Sequence, residues 1–318
     1  FRYYDLNQPI VPGGAFDVGS VAVLLAIALT ASAAAAFAFE RRDLGSPLIT
    51  PRARTHSEVR VPSNLAVWRW PVARELYERR TGFAVWSVGA LLLAVLFVWV
   101  TKVTVQPLLN IPALFPYFGR FVRGNLYPNV LGYTWFNFAE LLFAAFAIVQ
   151  VARWSAEDVD GRLELVLSQP RSRAGVVIER MATLVVAATL VAAVSGVALF
   201  YASRAQGIEL DPQRVASASA MLVPLAVVFA GAGALLAAWR PRAAVGMVGA
   251  VAFLGYLDAE VGPLLKWPLW VQDLSPFKLF GTPLVSGLDT RNLALLIAIA
   301  LAGFGSSILA MQKRDVGA

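Results

Sequence analysis

The sequence predicts an all-α polytopic membrane protein with about seven transmembrane helices, and three observations predict it. Hydrophobic residues make up 58% of the 318-residue chain and charged residues only 15%, whereas soluble domains carry about 25% charged residues. The apolar residues gather into runs that approach or exceed the roughly 20 residues a helix needs to cross a bilayer. The arginines collect in alternate segments between those runs, the positive-inside bias of membrane chains.

The runs can be taken in order. Val18–Phe39 is uncharged and rich in Ala and Leu, and Thr81–Thr101 is also uncharged. Tyr133–Ala152 is interrupted only by Glu140, while Met181–Ser203 and Val215–Trp239 carry no charge. Ala243–Leu257 is shorter and must borrow its acidic flank, Asp258 and Glu260, to span. Asn292–Gln312 is the last. With residue 1 outside, 18 of the 27 Lys and Arg residues fall in inside segments, among them Arg41, Arg42, Arg79, Arg80, Arg153, Arg180, Arg240 and Arg314. That ratio predicts an outside N-terminus and a cytoplasmic C-terminus in a cell inner or plasma membrane, consistent with an odd number of spans.

The same distribution explains the net charge of +7 as membrane orientation rather than nucleic-acid binding. With no cysteine in the chain, disulfides, Cys metal sites and thiol chemistry are excluded. The only histidine, His56, lies in a polar linker. No Ser/His/Asp set, metal-spaced cluster or general-acid pair is apparent, so no catalytic or metal-ligating residues are predicted. None of the four lysines follows a glycine, so the phosphate-cradling Gly-rich loop ending in Gly-Lys-Ser/Thr is missing. The chain is not expected to bind ATP itself or to be an enzyme.

An internal repeat organises the chain. Ala22-Val-Leu-Leu-Ala-Ile-Ala-Leu29 aligns with Ala294-Leu-Leu-Ile-Ala-Ile-Ala-Leu301 at an offset of 272 residues. At that offset Asp17 meets Asp289, and Arg42-Asp43-Leu44-Gly45 meets Arg314-Asp315-Val316-Gly317. Charged ends in register argue against chance similarity of two Ala/Leu-rich helices. Residues 1–45 therefore read as the outer segment and last helix of a preceding, similar unit. Residues 46–80 read as a cytoplasmic linker with an amphipathic interfacial helix, and residues 81–318 as a complete six-helix unit. Residue 1 is Phe, and Phe1–Asp17 has no signal-peptide pattern, so the chain is expected to begin partway through a longer protein.

Two segments point to a partner. Asn64–Arg80 places Leu65, Trp68, Val72 and Leu76 on one helical face and Arg69, Arg74, Arg79 and Arg80 on the other, the pattern of a helix lying in the membrane interface. A solvated connector is the alternative. Between the third and fourth runs, Ser155 followed by Asp158 resembles a capping box, Leu163, Val166 and Leu167 supply an apolar stripe, and Pro170 ends the segment. A short capped helix of this kind suits docking into a partner's groove.

Ala156-Glu-Asp-Val-Asp-Gly-Arg-Leu-Glu-Leu-Val-Leu-Ser-Gln-Pro-Arg-Ser-Arg173 resembles the coupling segment of ABC-2-type exporter permeases. The interfacial helix before a span and the Arg-Asp-x-Gly end are similar as well, so the resemblance covers nearly the whole chain. It implies a permease subunit of an ATP-driven exporter that moves apolar or amphipathic, drug- or lipid-like substrates out of the cell. It also implies that cytoplasmic helices dock on separate ABC ATP-binding subunits, two of them, which hold the ATP and Mg. By position, Glu157, Asp158, Gly161, Glu164 and Pro170 would carry the coupling. The leading extra span departs from the simple family form and suggests a fused two-half permease, as in actinobacterial drug exporters. It would act with the missing first half or with a second permease. An ion-driven secondary transporter is the alternative, and would need several ionisable groups in the membrane. A membrane-embedded enzyme acting on lipids would need clustered catalytic residues at one interface, and none is evident.

Glu140 is the one ionisable residue well inside a predicted span, and such groups usually face a cavity or a partner. It is a candidate for a substrate path with Tyr133, Trp135, Asn137 and Phe138. Pairing with Arg120 or Arg123, or protonation at a helix contact, are the alternatives. Asp258 and Glu260 are expected at the outer interface. Ile111–Tyr127 and Pro263–Gly281 mix aromatics with prolines and read as outer elements that either shape the exit side or anchor at the interface. Pro224 is positioned to kink its helix, and Gly231 and Gly233 to permit close helix approach.

Overall fold

A computed structural model describes residues 18–40, 70–109, 126–168 and 171–313. It divides into two units, residues 1–63 and 64–318. In the first, helix α1 (Val18–Glu40) forms over the predicted apolar run and is apolar through Val18–Thr30.

The second unit begins with α2 (Pro71–Glu78) and α3 (Arg80–Leu109), followed by α4 (Leu126–Val159) and the six-residue α5 (Arg162–Leu167). Then come α6 (Arg173–Ala205), α7 (Pro212–Trp239) and α8 (Pro241–Val261). Three short helices, α9 (Leu269–Gln272), α10 (Pro276–Phe280) and α11 (Pro283–Ser286), lead into α12 (Thr290–Lys313). Six of these, α3, α4, α6, α7, α8 and α12, are long and apolar enough to cross a membrane, and no strand occurs among the described residues. The fold is therefore all-α and polytopic, as the apolar runs require: a backbone in hydrocarbon must satisfy its own hydrogen bonds.

Local chemistry sets the helix starts. Proline opens α2, α7, α8, α10 and α11, where its missing N–H would have had no helical partner. Asp211 accepts a hydrogen bond from the Gln213 amide to cap α7, and Ser172 accepts one from Gly175 to cap α6. The short sixth run lengthens by this means: Pro241 starts it early, and it continues through both Asp258 and Glu260.

Helix α7 is the centre of the bundle and packs on α4, α6, α8 and α12. Its glycines make this possible. A Cβ on Gly231 would sit 3.2 Å from the backbone nitrogen of Phe304 in α12, and one on Gly233 would lie 2.5 Å from Val151 Cγ2 in α4. Close backbone approach through small residues is how helices associate where lipid removes the hydrophobic drive.

Two expectations change, and others lie outside the described residues. No helix begins at Ser155: α4 runs unbroken through it to Val159, and Ser155 is buried inside the helix. The interfacial helix is described only from Pro71, so the Asn64 cap lies outside the described residues, as do Arg120, Arg123 and most of Ile111–Tyr127. The Pro263–Gly281 segment does not simply rest at the boundary. Phe277 packs on Phe229 and Tyr256, and Phe280 stacks on Phe136, while Trp270 stays exposed. Asp258 is buried within the protein.

Candidate coupling face and intramembrane carboxylate site

The chain reversals place α2, α5 and the start of α6 at one end of the bundle, together with the end of α12; Arg173 reaches the Gln312 carbonyl there. We call this end the base. It is tied by charges. Glu157, near the end of α4, accepts from Arg79, the residue between α2 and α3, at 2.9 Å and from Arg180 of α6 at 2.6 Å. Arg79 also pairs with Glu75 at 3.0 Å, and Thr183 of α6 donates to Glu75 at 2.8 Å. Arg171 pairs with Glu179 nearby at 3.1 Å. Burial raises the Glu75 carboxyl above the usual carboxylate range, and Arg79 and the Thr183 hydroxyl offset part of that rise. These side chains are mostly sheltered, so their pairs are screened less than surface pairs. They bind α2, the end of α4 and the foot of α6 into one block.

Around that block lies a cleft of about 380 Å³ lined by Arg74, Glu78, Arg162, Val166 and Arg171, among others. The turn into α5 is made by Gly161 at φ +73°, a left-handed conformation that glycine adopts without a Cβ penalty. The predicted coupling residues thus separate into different positions. Glu157 is internal to the charge lattice, and Asp158 lies beside Trp154, Arg180 and Met181. Gly161 makes the turn, and Glu164 is exposed on α5. Pro170 lies outside the described residues.

The apolar stripe of α5 does not face outward. Leu163 is 1% exposed and packs with Val176, Val177 and Met311, and Val166 and Leu167 lean on the same cluster. The outward edge is Arg162, Glu164 and Leu165, the last 70% exposed. Periodicity showed the stripe; only packing showed that the bundle itself covers it.

A second polar site lies within the spans. Glu140 is 7% exposed, and among the described residues no hydrogen bond or ion pair engages it. Tyr133 donates to Glu260 at 3.1 Å, Asn137 donates to Glu260 at 2.6 Å, and Tyr256 donates to the Asn137 carbonyl oxygen at 2.6 Å. Glu140 follows Asn137 by three residues on the same face of α4, the face whose Asn137 amide holds Glu260. A π-helical stretch, Gly132–Phe136, immediately precedes Asn137, and such wider turns occur often at functional sites. The structure therefore gathers Tyr133, Asn137 and Glu140 toward α8. Trp135 and Phe138 instead pack on Phe97 of α3, with Trp135 fully buried. Glu260 and Tyr256 were not singled out from the sequence for this site; a four-residue spacing on a helix was the available signal.

A further cavity of about 810 Å³ opens between α6, α7 and α12, lined by small and apolar residues including Ala192, Gly196, Ala220 and Ile297, with Thr189, Ser219 and Tyr201 as polar points. It has the size of a site for a drug-sized molecule.

The family described as "Multidrug efflux system permease Rv1217c, C-terminal domain" matches residues 69–311 of this chain, which include α2 and all six long helices of the second unit. A search of the curated proteins gave no match. The matched stretch holds both the charged base and the carboxylate site, and the chain belongs to this family of multidrug efflux permeases as an integral membrane protein.

Proposed function

We propose that this permease unit is the membrane part of a bacterial ATP-driven exporter of the ABC-2 type, expelling apolar or amphipathic drugs and thereby supporting antibiotic resistance. Two separate ATP-binding subunits supply ATP and Mg chemistry, and the base faces them in the cytoplasm. A preceding permease half, related through the helix repeat, or a second permease completes the path. The observation that supports this reading most is the lattice around Glu157. It joins the interfacial helix, the turn of the coupling segment and the foot of α6. It leaves the Arg162–Glu164–Leu165 edge of α5 exposed for a partner.

In this reading the partner's groove grips that edge of α5. Its movement on ATP binding passes through Gly161 to α4 and through Glu157 to α2 and α6. A rigid block is needed because a force applied to a loose loop would be absorbed locally. Glu140, Asn137 and Tyr133 stand near the drug path, with Glu260 added and with Trp135 and Phe138 supporting α4 from the α3 side.

The test is Glu164→Arg in the assembled transporter. Transport is expected to fall while the ATPase subunits still hydrolyse ATP and the membrane protein still folds. Unchanged transport would remove the coupling role, and transport that persists with hydrolysis blocked would favour an ion-driven carrier.

A further inference from the structure

We infer that Glu140 and Glu260 form a recognition site for organic cations, amphipathic molecules that carry a protonated or quaternary nitrogen. The inference deepens the exporter reading above and rests on it.

Glu260 is held by two neutral donors, the Tyr133 hydroxyl and the Asn137 amide, and Asn137 is in turn oriented by Tyr256. Glu140 is almost wholly buried beside it and engages no donor among the described residues. The described basic residues of α4 and α8 are Arg153 and Arg242, at the base end of each helix. Lys278, on the opposite side of the bundle from the base, is committed to Asp273 at 2.9 Å. Two acids thus share an intramembrane site in which no described Lys or Arg forms an ion pair with either of them, Lys102 of α3 being turned to the Gln206 carbonyl.

A carboxylate in hydrocarbon is costly, and two near each other are costlier. A cation entering between them relieves both costs at once. Neutral donors hold the Glu260 carboxylate in place without cancelling its charge. The phenol rings of Tyr133 and Tyr256 offer faces of the kind that attract ammonium groups. Tyr133, which holds Glu260, is 50% exposed, so this edge of the network lies at the surface of the protein.

The surroundings select an organic cation over a metal ion. Hard divalent ions take six or more oxygen ligands, and no group of three or more His, Cys, Asp or Glu able to hold a metal occurs among the described residues. The adjoining aromatic and aliphatic wall of Phe136, Phe277 and Phe280 suits the apolar body of an amphiphile.

The experiment uses the assembled transporter in proteoliposomes. Two probes are compared: a dansyl-tagged trimethylammonium and its uncharged tert-butyl isostere. The wild type is expected to favour the ammonium. Glu140→Gln with Glu260→Gln is expected to cut the ammonium-to-isostere transport ratio at least about tenfold, the scale of losing a desolvated charge partner. Glu260→Asp, which keeps the charge, is expected to retain most of the ratio and guards against a folding defect. A wild type indifferent to charge, or a double variant in which both probes fall in parallel, overturns the inference. So does loss of the ratio in Arg120→Ala or Arg123→Ala, because the acids would then answer to an arginine. Transport of both probes that ignores ATP would instead defeat the exporter reading and leave the charge ratio as a separate result.

Discussion

Glu157 of α4 lies 2.6 Å from Arg180 of α6, and this contact locks the coupling turn to the helix that follows it. Glu157 also holds Arg79, so one carboxylate joins three elements. Residues of this sort look like partner-facing charges in a sequence. In the fold they are internal fasteners, and the neighbouring edge of α5 is the part of this segment that stays exposed.

Removing Arg180 should therefore cost more than removing an arginine from a surface pair. Arg180→Ala leaves Glu157 short of one partner in a sheltered site, an expected loss of about 1–3 kcal/mol. Arg74→Ala breaks only the exposed pair with Glu78 and should cost under about 1 kcal/mol. Unfolding midpoints of the two variants in detergent check the order, and equal losses would deny the lattice its stabilising role.

The close contact between α7 and α4 gives a paired prediction. Gly233→Ala puts a methyl into Val151 and should destabilise by about 1–3 kcal/mol through overpacking. Val151→Ala opens the space into which that methyl would go. The double variant should recover part of the loss, and a double-mutant cycle on thermal stability measures how much.

Gly161→Ala should strain the α4–α5 turn by about 1–2 kcal/mol, because its φ of +73° lies in the left-handed region. The strain falls on the element proposed above to carry the coupling. ATP hydrolysis stimulated by substrate should drop more than the amount of folded protein, as read by size-exclusion recovery.

Acidity acts through Glu75. Its folded carboxyl is raised by burial, so between its ordinary value and the raised one the folded state holds more proton than the unfolded chain. Stability contributed by this group is therefore greatest at low pH and declines as pH rises through that window. Glu75→Gln should flatten the dependence there while keeping an amide oxygen to accept from Thr183. A melting-temperature series across mildly acid pH decides it, and an unchanged slope in the variant would rule Glu75 out as its source.

Inside the spans, Tyr256→Phe removes the donor to Asn137. The half-buried amide oxygen then loses its partner, an expected cost of about 1–2 kcal/mol. Tyr201→Phe, far from this network and half solvent-facing, should change stability little. Parallel thermal melts compare the two.

The sequence by itself determined the class of this protein and the order of its spans. Apolar runs such as Met181–Ser203 have a single physical outcome in lipid, a helix that bonds to itself, and proline and aspartate mark where such helices begin. Pro241 and Asp211 stand at such starts in the fold, and Gly231 and Gly233 carried their packing role in their size. What periodicity cannot reveal is which neighbour a face meets. Leu163 belongs to a stripe that any groove would accept, and only the tertiary fold places it against Val176 and Met311 rather than a partner. Glu140 and Glu260 are separated by 120 residues, a distance no local pattern bridges. The packing of α8 on α4 brought them together, because contacts between distant helices are set by the shape of whole surfaces rather than by the order of residues along either one.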